Sequence, residues 1–599
     1  MQRGEKMYKR GRRSHFIYYC VILFSELFYW VDTTHGALSE YIMRGTVFRL
    51  NLLSLLAILT VLFLSYCNAF EQDVLEVTDK KIGKISNSNK KNIIMMVTDG
   101  TGPSSINMAR SYNQFINDLP FNETLVLDKY LIGQSRTRSS SSLITDSAAG
   151  ATAFSCGLKS YNGAIGVDSN KDPCGTILEA LKLKGYKTGL VVTTSLADAT
   201  PAAFSAHAEF RNMLDLIANQ QLGYNNTLSK FDGDSFVDLM IGGGRCSFLP
   251  KSDTENSCRH DEVNLIELAQ SNGWTVSTDR EGFDLLELGN NENIKLPILS
   301  LLSYYNMPYE IDRNEKKFPS LLEETKTALN ILSRETEDSD EGFFLLIEGS
   351  RIDHAGHHND PHAQVREVLA YDLAFEEVIK FAQNSDVETF IISTSDHETG
   401  GADIGRQIND DYPDYVWYPE VLANAKKSGE YLNFKISKFF QDHNSRKGMK
   451  LSDLEKFIKD EIIEKDLGIL DHERNEIDTI LSLLKKEEKK DEINEINEMT
   501  EIESSSDNDE IEIIIEEVDA ASGVVEFLKD MVSRRARIGW STHGHTAADV
   551  NIYGYSNTDR GMKELRDALG GNVENTDIGK FMESITGVDL DSITEKLKI

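Results

Sequence analysis

Cysteine is scarce in this chain. Six residues in 599 are too few for a dense disulfide scaffold, so the fold must rest on a hydrophobic core, and 40% hydrophobic residues supply one. Basic charge is short as well. Sixty-three Lys and Arg against 97 Asp and Glu leave a net charge of −34, which excludes an extended nucleic-acid surface, because phosphate backbones recruit basic patches. Part of that charge is local: Lys485 to Asp519 holds fifteen acids and four lysines. The rest is spread and supports solubility. The C-terminal end has no hydrophobic tail, so a glycolipid anchor is not expected.

Long apolar runs are equally rare. Asn51–Phe70 is uncharged and long enough to span a bilayer, whereas Phe16–Val31 is shorter and contains Glu26. Arg3, Lys6, Lys9, Arg10, Arg12, Arg13, Arg44 and Arg49 precede the longer run. The positive-inside rule then gives a basic cytosolic tail over 1–49, a signal-anchor helix over 50–70, a polar linker over 71–91 and a lumenal domain from 92. If both runs spanned, that domain would return to the cytosol, away from the glycosylation sequons at Asn122 and Asn225. The alternative is initiation at Met43 with signal cleavage near Ala69 and secretion. In an oxidising compartment Cys156 with Cys174 and Cys246 with Cys258 are plausible disulfides; free buried thiols are the other reading.

From residue 92 a pattern repeats: a short apolar run without alternation, then a polar, acidic turn. The runs are Asn92–Thr98, Thr188–Thr194, Gly342–Ile347 and Thr389–Thr394. Their length and β-branched content predict strands buried on both faces, with helices such as Thr176–Gly185 and Ala363–Phe381 as crossovers. The fold class is α/β with a central, mostly parallel sheet. The pattern weakens between Gly400 and Gly539, where the acidic stretch 485–519 reads as a disordered insertion, and it resumes at Ala547–Tyr555. The runs lead into Asp99, Asp198, Glu348 and Asp396-His397. Acids in that recurring position mark a site, because ligands of open α/β sheets bind beyond the carboxyl ends of the strands.

Asp146-Ser147 opens a run of small residues that lets a helix N-terminus approach an anion; by itself the pair reads as an ordinary helix cap. Asp353 and His357 stand four apart, on one helical face, where both can reach one metal; His354, His358 and His362 either hydrogen-bond to the groups that hold it or lie on the surface. Asp396-His397 and His545 complete two mixed Asp/His sets of the kind zinc accepts, although each histidine alone reads as a structural one. Asp198, Thr200 and Glu348 offer only oxygen, which suits magnesium. Arg211 can grip two phosphate oxygens at once; without its neighbours it is a surface arginine.

Six segments in order, VTDGTG at 97–102, TDSAAGATA at 145–153, DATPAAF at 198–204, EGSRIDHAGH at 348–357, TSDHETGG at 394–401 and HGHT at 543–546, resemble the alkaline phosphatase signatures. SYNGAIGVD at 160–168 and WYPEVLANA at 417–425 resemble the fungal vacuolar members. The resemblance implies a catalytic domain over 92–585 with an inserted crown-like region, and a homodimer on the vacuolar membrane. It implies Ser147 as nucleophile and Arg211 as phosphate clamp. One zinc falls to Asp353, His357 and His545, the other to Asp99, Asp396 and His397, and magnesium to Asp99, Asp198, Thr200 and Glu348. Position 354 is histidine as in animal members, and 198 is aspartate as in bacterial ones. The implied activity is hydrolysis of phosphate monoesters through a phosphoserine. Related folds share the two-metal core with phosphodiesterases and sulfatases, but Arg211 and the third-metal residues favour monoesters. A non-catalytic membrane protein that binds metal or phosphate would not need Ser147 beside a complete ligand set.

Overall fold

The computed structural model describes residues 90–224, 235–442, 450–494 and 522–598. The expected N-terminal tail, the span Asn51–Phe70, nearly all of the linker, the Asn225 sequon and most of the acidic stretch lie outside the described residues. Among the described residues, no helix is long and apolar enough to cross a membrane.

Ten strands make one sheet. They are β1 (Lys91–Val97), β2 (Leu131–Arg136), β3 (Lys187–Ser195), β4 (Leu239–Gly243), β5 (Thr275–Ser277), β6 (Ile298–Leu301), β7 (Phe343–Glu348), β8 (Glu388–Thr394), β13 (Val550–Ser556) and β14 (Gly571–Glu574). Between β8 and β13 lie four two-residue strands, β9 (Glu398–Thr399), β10 (Asp403–Ile404), β11 (Ile538–Gly539) and β12 (His545–Thr546). They pair as two small ribbons, β9 with β12 and β10 with β11. The sheet order is β14-β2-β13-β8-β1-β7-β3-β4-β6-β5. Only β13 runs antiparallel to its neighbours β2 and β8; the remaining pairs are parallel.

The five expected strands are present, each shifted by no more than a few residues. Of those not foreseen, β2, β5 and β14 are partly exposed and β4 and β6, though wholly buried, have only five and four residues. The non-alternating apolar runs are explained by burial on both faces. Ile94 and Met96 pack with Phe343, Leu345, Ile347 and Ile391 in one core layer. Ile93, Met95 and Val97 pack with Phe344, Leu346, Phe390 and Ile392 in the other. With period 2, each strand supplies both layers and has no polar face.

The crossover helix Ile177–Lys184 starts at a capping box between Thr176 and Glu179 and stops at the left-handed Gly185, so its limits are written in local chemistry. The second, Pro361–Asn384, starts at the Asp360 cap with proline in its first turn. Where the strand pattern weakened, a helical lobe forms: Pro419–Asn424, Gly429–Asp442 and Arg474–Asn494 pack on Ser522–Ala536. It is tied to the main body where Asp360 accepts the Gly429 N–H at 2.7 Å and Arg366 donates to the Ala425 carbonyl at 2.8 Å. One expectation is corrected here. The stretch from Lys485 was read as disordered, yet Arg474–Asn494 carries its first ten residues as helix. Burial of Ile477, Ile480, Leu481 and Leu484 nucleates that helix, and the lysines and glutamates that follow are good helix formers able to extend it. The helix Leu590–Lys598 lies past the expected end at 585 and buries Leu590 and Ile593.

Both cysteine pairs are closed as disulfides, Cys156–Cys174 and Cys246–Cys258. Asn122 sits in an exposed turn, accessible to a glycan.

Parallel register sets the next level. Val97 is level with Glu348 on one side and Thr394 on the other, and Val192 is level with Glu348. The ends of β8, β1, β7 and β3 therefore form one rim. Phe344, fully buried in β7, stacks on Phe204 of the helix Ala199–Ser205 with ring centroids 5.8 Å apart, fastening that helix to the sheet. Phe344→Ala is expected to cost about 3–5 kcal/mol, measured as a lowered midpoint in chemical denaturation; a loss under about 1 kcal/mol would show that this layer is not tightly packed.

Candidate active site and metal centre

The rim gathers the acids. Asp99 stands two residues past β1, Glu348 closes β7, Asp396 stands two past β8, and Asp198 three past β3. Opposite them, the helix Ser147–Cys156 points its N-terminus at the rim. Asp146, rather than Ser147, is the cap: its carboxylate accepts the Ala149 N–H at 3.0 Å and the Gly163 N–H at 2.9 Å. The Ser147 hydroxyl is thereby left free of capping, and it lies buried 3.0 Å from His397 Nε2. A Cβ at Gly150 would stand 3.0 Å from that of Asp396, so the small residue lets this helix lie against the end of β8.

Three histidines converge by different routes. His357 lies one helical turn from Asp353, with Nε2 3.3 Å from its carboxylate. His397 follows β8. His545 arrives in β12, paired with β9 so that it sits opposite Thr399. His357 and His545 approach through their Nε2 atoms at 3.1 Å, and His545 Nε2 lies 3.7 Å from Asp353. His397 Nε2 lies 3.1 Å from Asp396 and 3.7 Å from Asp99. Two groups of possible metal-holding side chains result, Asp99 with Asp396 and His397, and Asp353 with His397 and His545, with His357 beside the second.

Each ring is held by its other nitrogen. His545 Nδ1 faces the Thr145 carbonyl at 2.8 Å, and His357 Nδ1 faces the His543 carbonyl. A carbonyl only accepts, so each Nδ1 carries the proton. The Thr399 hydroxyl donates to Asp353 at 2.5 Å, leaving its lone pair to accept from His397 Nδ1 at 3.1 Å. All three therefore present an unprotonated Nε2 inward, the arrangement by which outer partners orient metal-ligating histidines. Sequence reasoning missed these supports, because two are main-chain carbonyls and carry no residue signal.

The acids are under electrostatic stress. Burial, then the charges of Asp396, Asp353, Glu348 and Asp198, push Asp99 well above the carboxylate range. Its neighbours belong to all three expected ligand sets, which places Asp99 at their junction. Burial raises Glu348 to about 8, against a hydrogen bond from Ser350 and the nearby Thr200 hydroxyl and with Asp198 and Asp396 adding repulsion. Asp353 is buried too, but His357, His397, His354 and His545 bring it below its ordinary value. Asp99 Oδ1, Asp396 Oδ2 and Thr200 Oγ1 are fully buried with no hydrogen bond of good geometry. Buried polar atoms are almost always satisfied, and acceptors orphaned among carboxylates fit cations. Histidine nitrogens stand beside the carboxylates of Asp353 and Asp396.

Arg211 is placed by its backbone N–H on the Gly163 carbonyl at 2.8 Å, and its guanidinium reaches Asp198 at 3.0 Å and Asp146 at 3.5 Å. Asp146 thus caps the Ser147 helix and also faces Arg211. His354 is close enough to Asp353 and Asp198 to feel their charges, and burial with the charge of Arg351 lowers it to about 4. Arg351 was overlooked in the sequence; its spacing of three from His354, one helical turn, is the signal that could have marked it.

The comparisons agree with this geometry. The family model described as alkaline phosphatase matches residues 90–588. The repressible alkaline phosphatase of Saccharomyces cerevisiae is 50% identical over 517 residues, covering 85% of this chain and 83% of that protein. An alkaline phosphatase of Schizosaccharomyces pombe is 45% identical over 517 residues, covering 86% and 85%. Among solved structures, a cold-active alkaline phosphatase from a psychrophilic Shewanella aligns with a TM-score of 0.61 at 27% identity, over 83% of this chain and 99% of that one. Sequence, fold and the convergence of Ser147, the acids and the histidines on one rim lead to the same place: the chain belongs to the alkaline phosphatase family.

Proposed function

We propose that this chain hydrolyses phosphate monoesters through a phosphoserine on Ser147, at a centre of two zinc ions and one magnesium ion. The observation that carries the reading is the Ser147 hydroxyl, freed of capping by Asp146 and 3.0 Å from His397 Nε2. Asp353, His357 and His545 would hold one zinc; Asp99, Asp396 and His397 the other; Asp99, Asp198, Thr200 and Glu348 the magnesium. When bound, such ions supply Lewis acidity that lowers the pKa of nearby hydroxyls and offsets charge on oxygen.

The protein's own groups do the rest. Arg211 and the first N–H groups of the Ser147 helix bind and orient the phosphate oxygens. Ser147 Oγ gives up its proton and attacks phosphorus in line; the P–O bond to the alcohol breaks and the alcohol leaves with a proton. Water then attacks the phosphoserine opposite Ser147 Oγ, from the face the alcohol has left; the P–Oγ bond breaks, freeing inorganic phosphate, and the serine oxygen takes back a proton. Two displacements leave the configuration at phosphorus unchanged. Ser147→Ala is expected to lower kcat at least about a thousandfold with metal content unchanged by elemental analysis, because no ligand is lost. Wild-type turnover by this variant would end the serine mechanism.

The oxygen-only third set leads to a separate expectation. After dialysis against both metals the wild type should carry two zinc ions and one magnesium ion, and Asp198→His should draw zinc into the third position, since nitrogen favours the softer ion. Three zinc ions and no magnesium in the wild type would show that ligand hardness does not govern this position.

The reading also includes a homodimer in the vacuolar membrane, anchored by Asn51–Phe70 with the catalytic domain lumenal. The basic residues before that run and the exposed sequon at Asn122 support it. Protease added to intact organelles should trim at most the basic tail. Digestion of the large domain from the cytosolic side would overturn this orientation, and a soluble form beginning at Phe70 would replace the anchor with a cleaved signal.

A further inference from the structure

The three inward histidines share one tautomer, and His354 departs from it. Its Nδ1 faces no carbonyl or hydroxyl; it faces the Arg351 guanidinium, with Nη1 at 3.0 Å. A guanidinium has donors only and keeps its charge at any working pH. Nδ1 must therefore be the accepting nitrogen, and the ring proton must sit on Nε2.

Arg351 has little freedom to do otherwise. It is 2% exposed, its Nη2 donates to Glu430 Oε2 at 2.5 Å, and its Cζ lies 4.0 Å over the Tyr309 ring. The Tyr309 hydroxyl is in turn engaged with His358 Nδ1 at 3.2 Å. Glu430 belongs to the first turn of the lobe helix Gly429–Asp442, whose Gly429 N–H is fixed by Asp360. A buried charge of this kind is held only where it is paired, and Glu430 is the carboxylate that pairs it.

We infer that Arg351, pinned by Glu430 from the helical lobe, fixes His354 in its Nε2-protonated tautomer, so that His354 serves as a hydrogen-bond donor to the phosphate oxyanion beside Asp198 and not as a metal ligand. Arg351 and Glu430 are then positioning residues acting through His354. This rests on the phosphatase reading for the identity of the anion, but not for the tautomer. It gives the lobe a part in the site: one acidic side chain from the inserted region decides which nitrogen of a site histidine can donate.

The test uses the full chain loaded with zinc and magnesium and labelled with 15N-histidine. With 13 histidines in all, two-bond proton–nitrogen correlations report each tautomer, and the His354 signal is the one lost in His354→Gln. His357, His397 and His545 should be protonated at Nδ1 and His354 at Nε2. Arg351→Lys, which keeps a donor, should preserve the Nε2 form. Arg351→Met should release it toward the Nδ1 form and weaken inhibition by inorganic phosphate roughly 10- to 100-fold, as for loss of one hydrogen bond to a charged group, with zinc content unchanged. A His354 protonated at Nδ1 or at both nitrogens in the wild type overturns the inference, as does an unchanged tautomer in Arg351→Met. Should that variant fail to fold, the wild-type spectrum decides alone. An inactive protein with His354 in the Nε2 form would overturn the phosphatase reading and leave this one standing.

Discussion

Four buried carboxylates, Asp99, Glu348, Asp353 and Asp396, meet beside the half-buried Asp198, and the rest of the structure is arranged around the repulsion between them. Two unit charges 4 Å apart repel by about 4 kcal/mol at the effective dielectric near a protein surface, while a whole domain is stable by only about 5–15 kcal/mol. The cluster therefore cannot be fully ionised without compensating charge. Part of that compensation is in the chain: histidines lower Asp353, and Arg211 faces Asp198 and Asp146. The remainder, seen in the elevated Asp99 and in the orphaned oxygens of Asp99 and Asp396, is the share that bound cations would take.

Holding like charges together requires a rigid frame, and the parallel sheet provides one. Its strands are buried on both faces and locked in register, so the acids at their ends cannot drift apart without breaking backbone ladders. A second layer of constraint orients the ligands: the carbonyls of Thr145 and His543 and the Thr399 hydroxyl each fix a histidine tautomer. Arg351, braced by Glu430, applies the same principle with the opposite sign to His354. The helical lobe, far away in sequence, is in this way coupled to the helix Arg351–His357.

The fold class was legible because strands buried on both faces leave continuous apolar runs, and because Thr176 and Gly185 mark the ends of a helix by local chemistry. The edge strands β5 and β14 were not, since a short, partly exposed strand has no such pattern. The candidate ligands were legible as residue types that recur just past strand ends. The acidic stretch misled in part: composition indicated disorder, but the buried face of residues 477–484 extends helix into it. Asp146 and Ser147 show the limit at the finest scale, because either could have been the cap, and the choice depends on which carboxylate or hydroxyl the Ala149 and Gly163 N–H groups meet.

By itself, then, the sequence determined which atoms were on offer: nitrogen and oxygen donors of the right hardness, a serine before small residues, an arginine after them, and a sheet to carry them. Those properties are local, belonging to single side chains or to a few neighbours along the chain. Only the tertiary structure decided how they combine. That His545 joins Asp353 and His357, that main-chain carbonyls choose the histidine tautomers, and that Glu430 reaches Arg351 across 79 positions are facts of long-range approach. No local pattern encodes them, because each depends on where two distant segments come to rest on the same sheet.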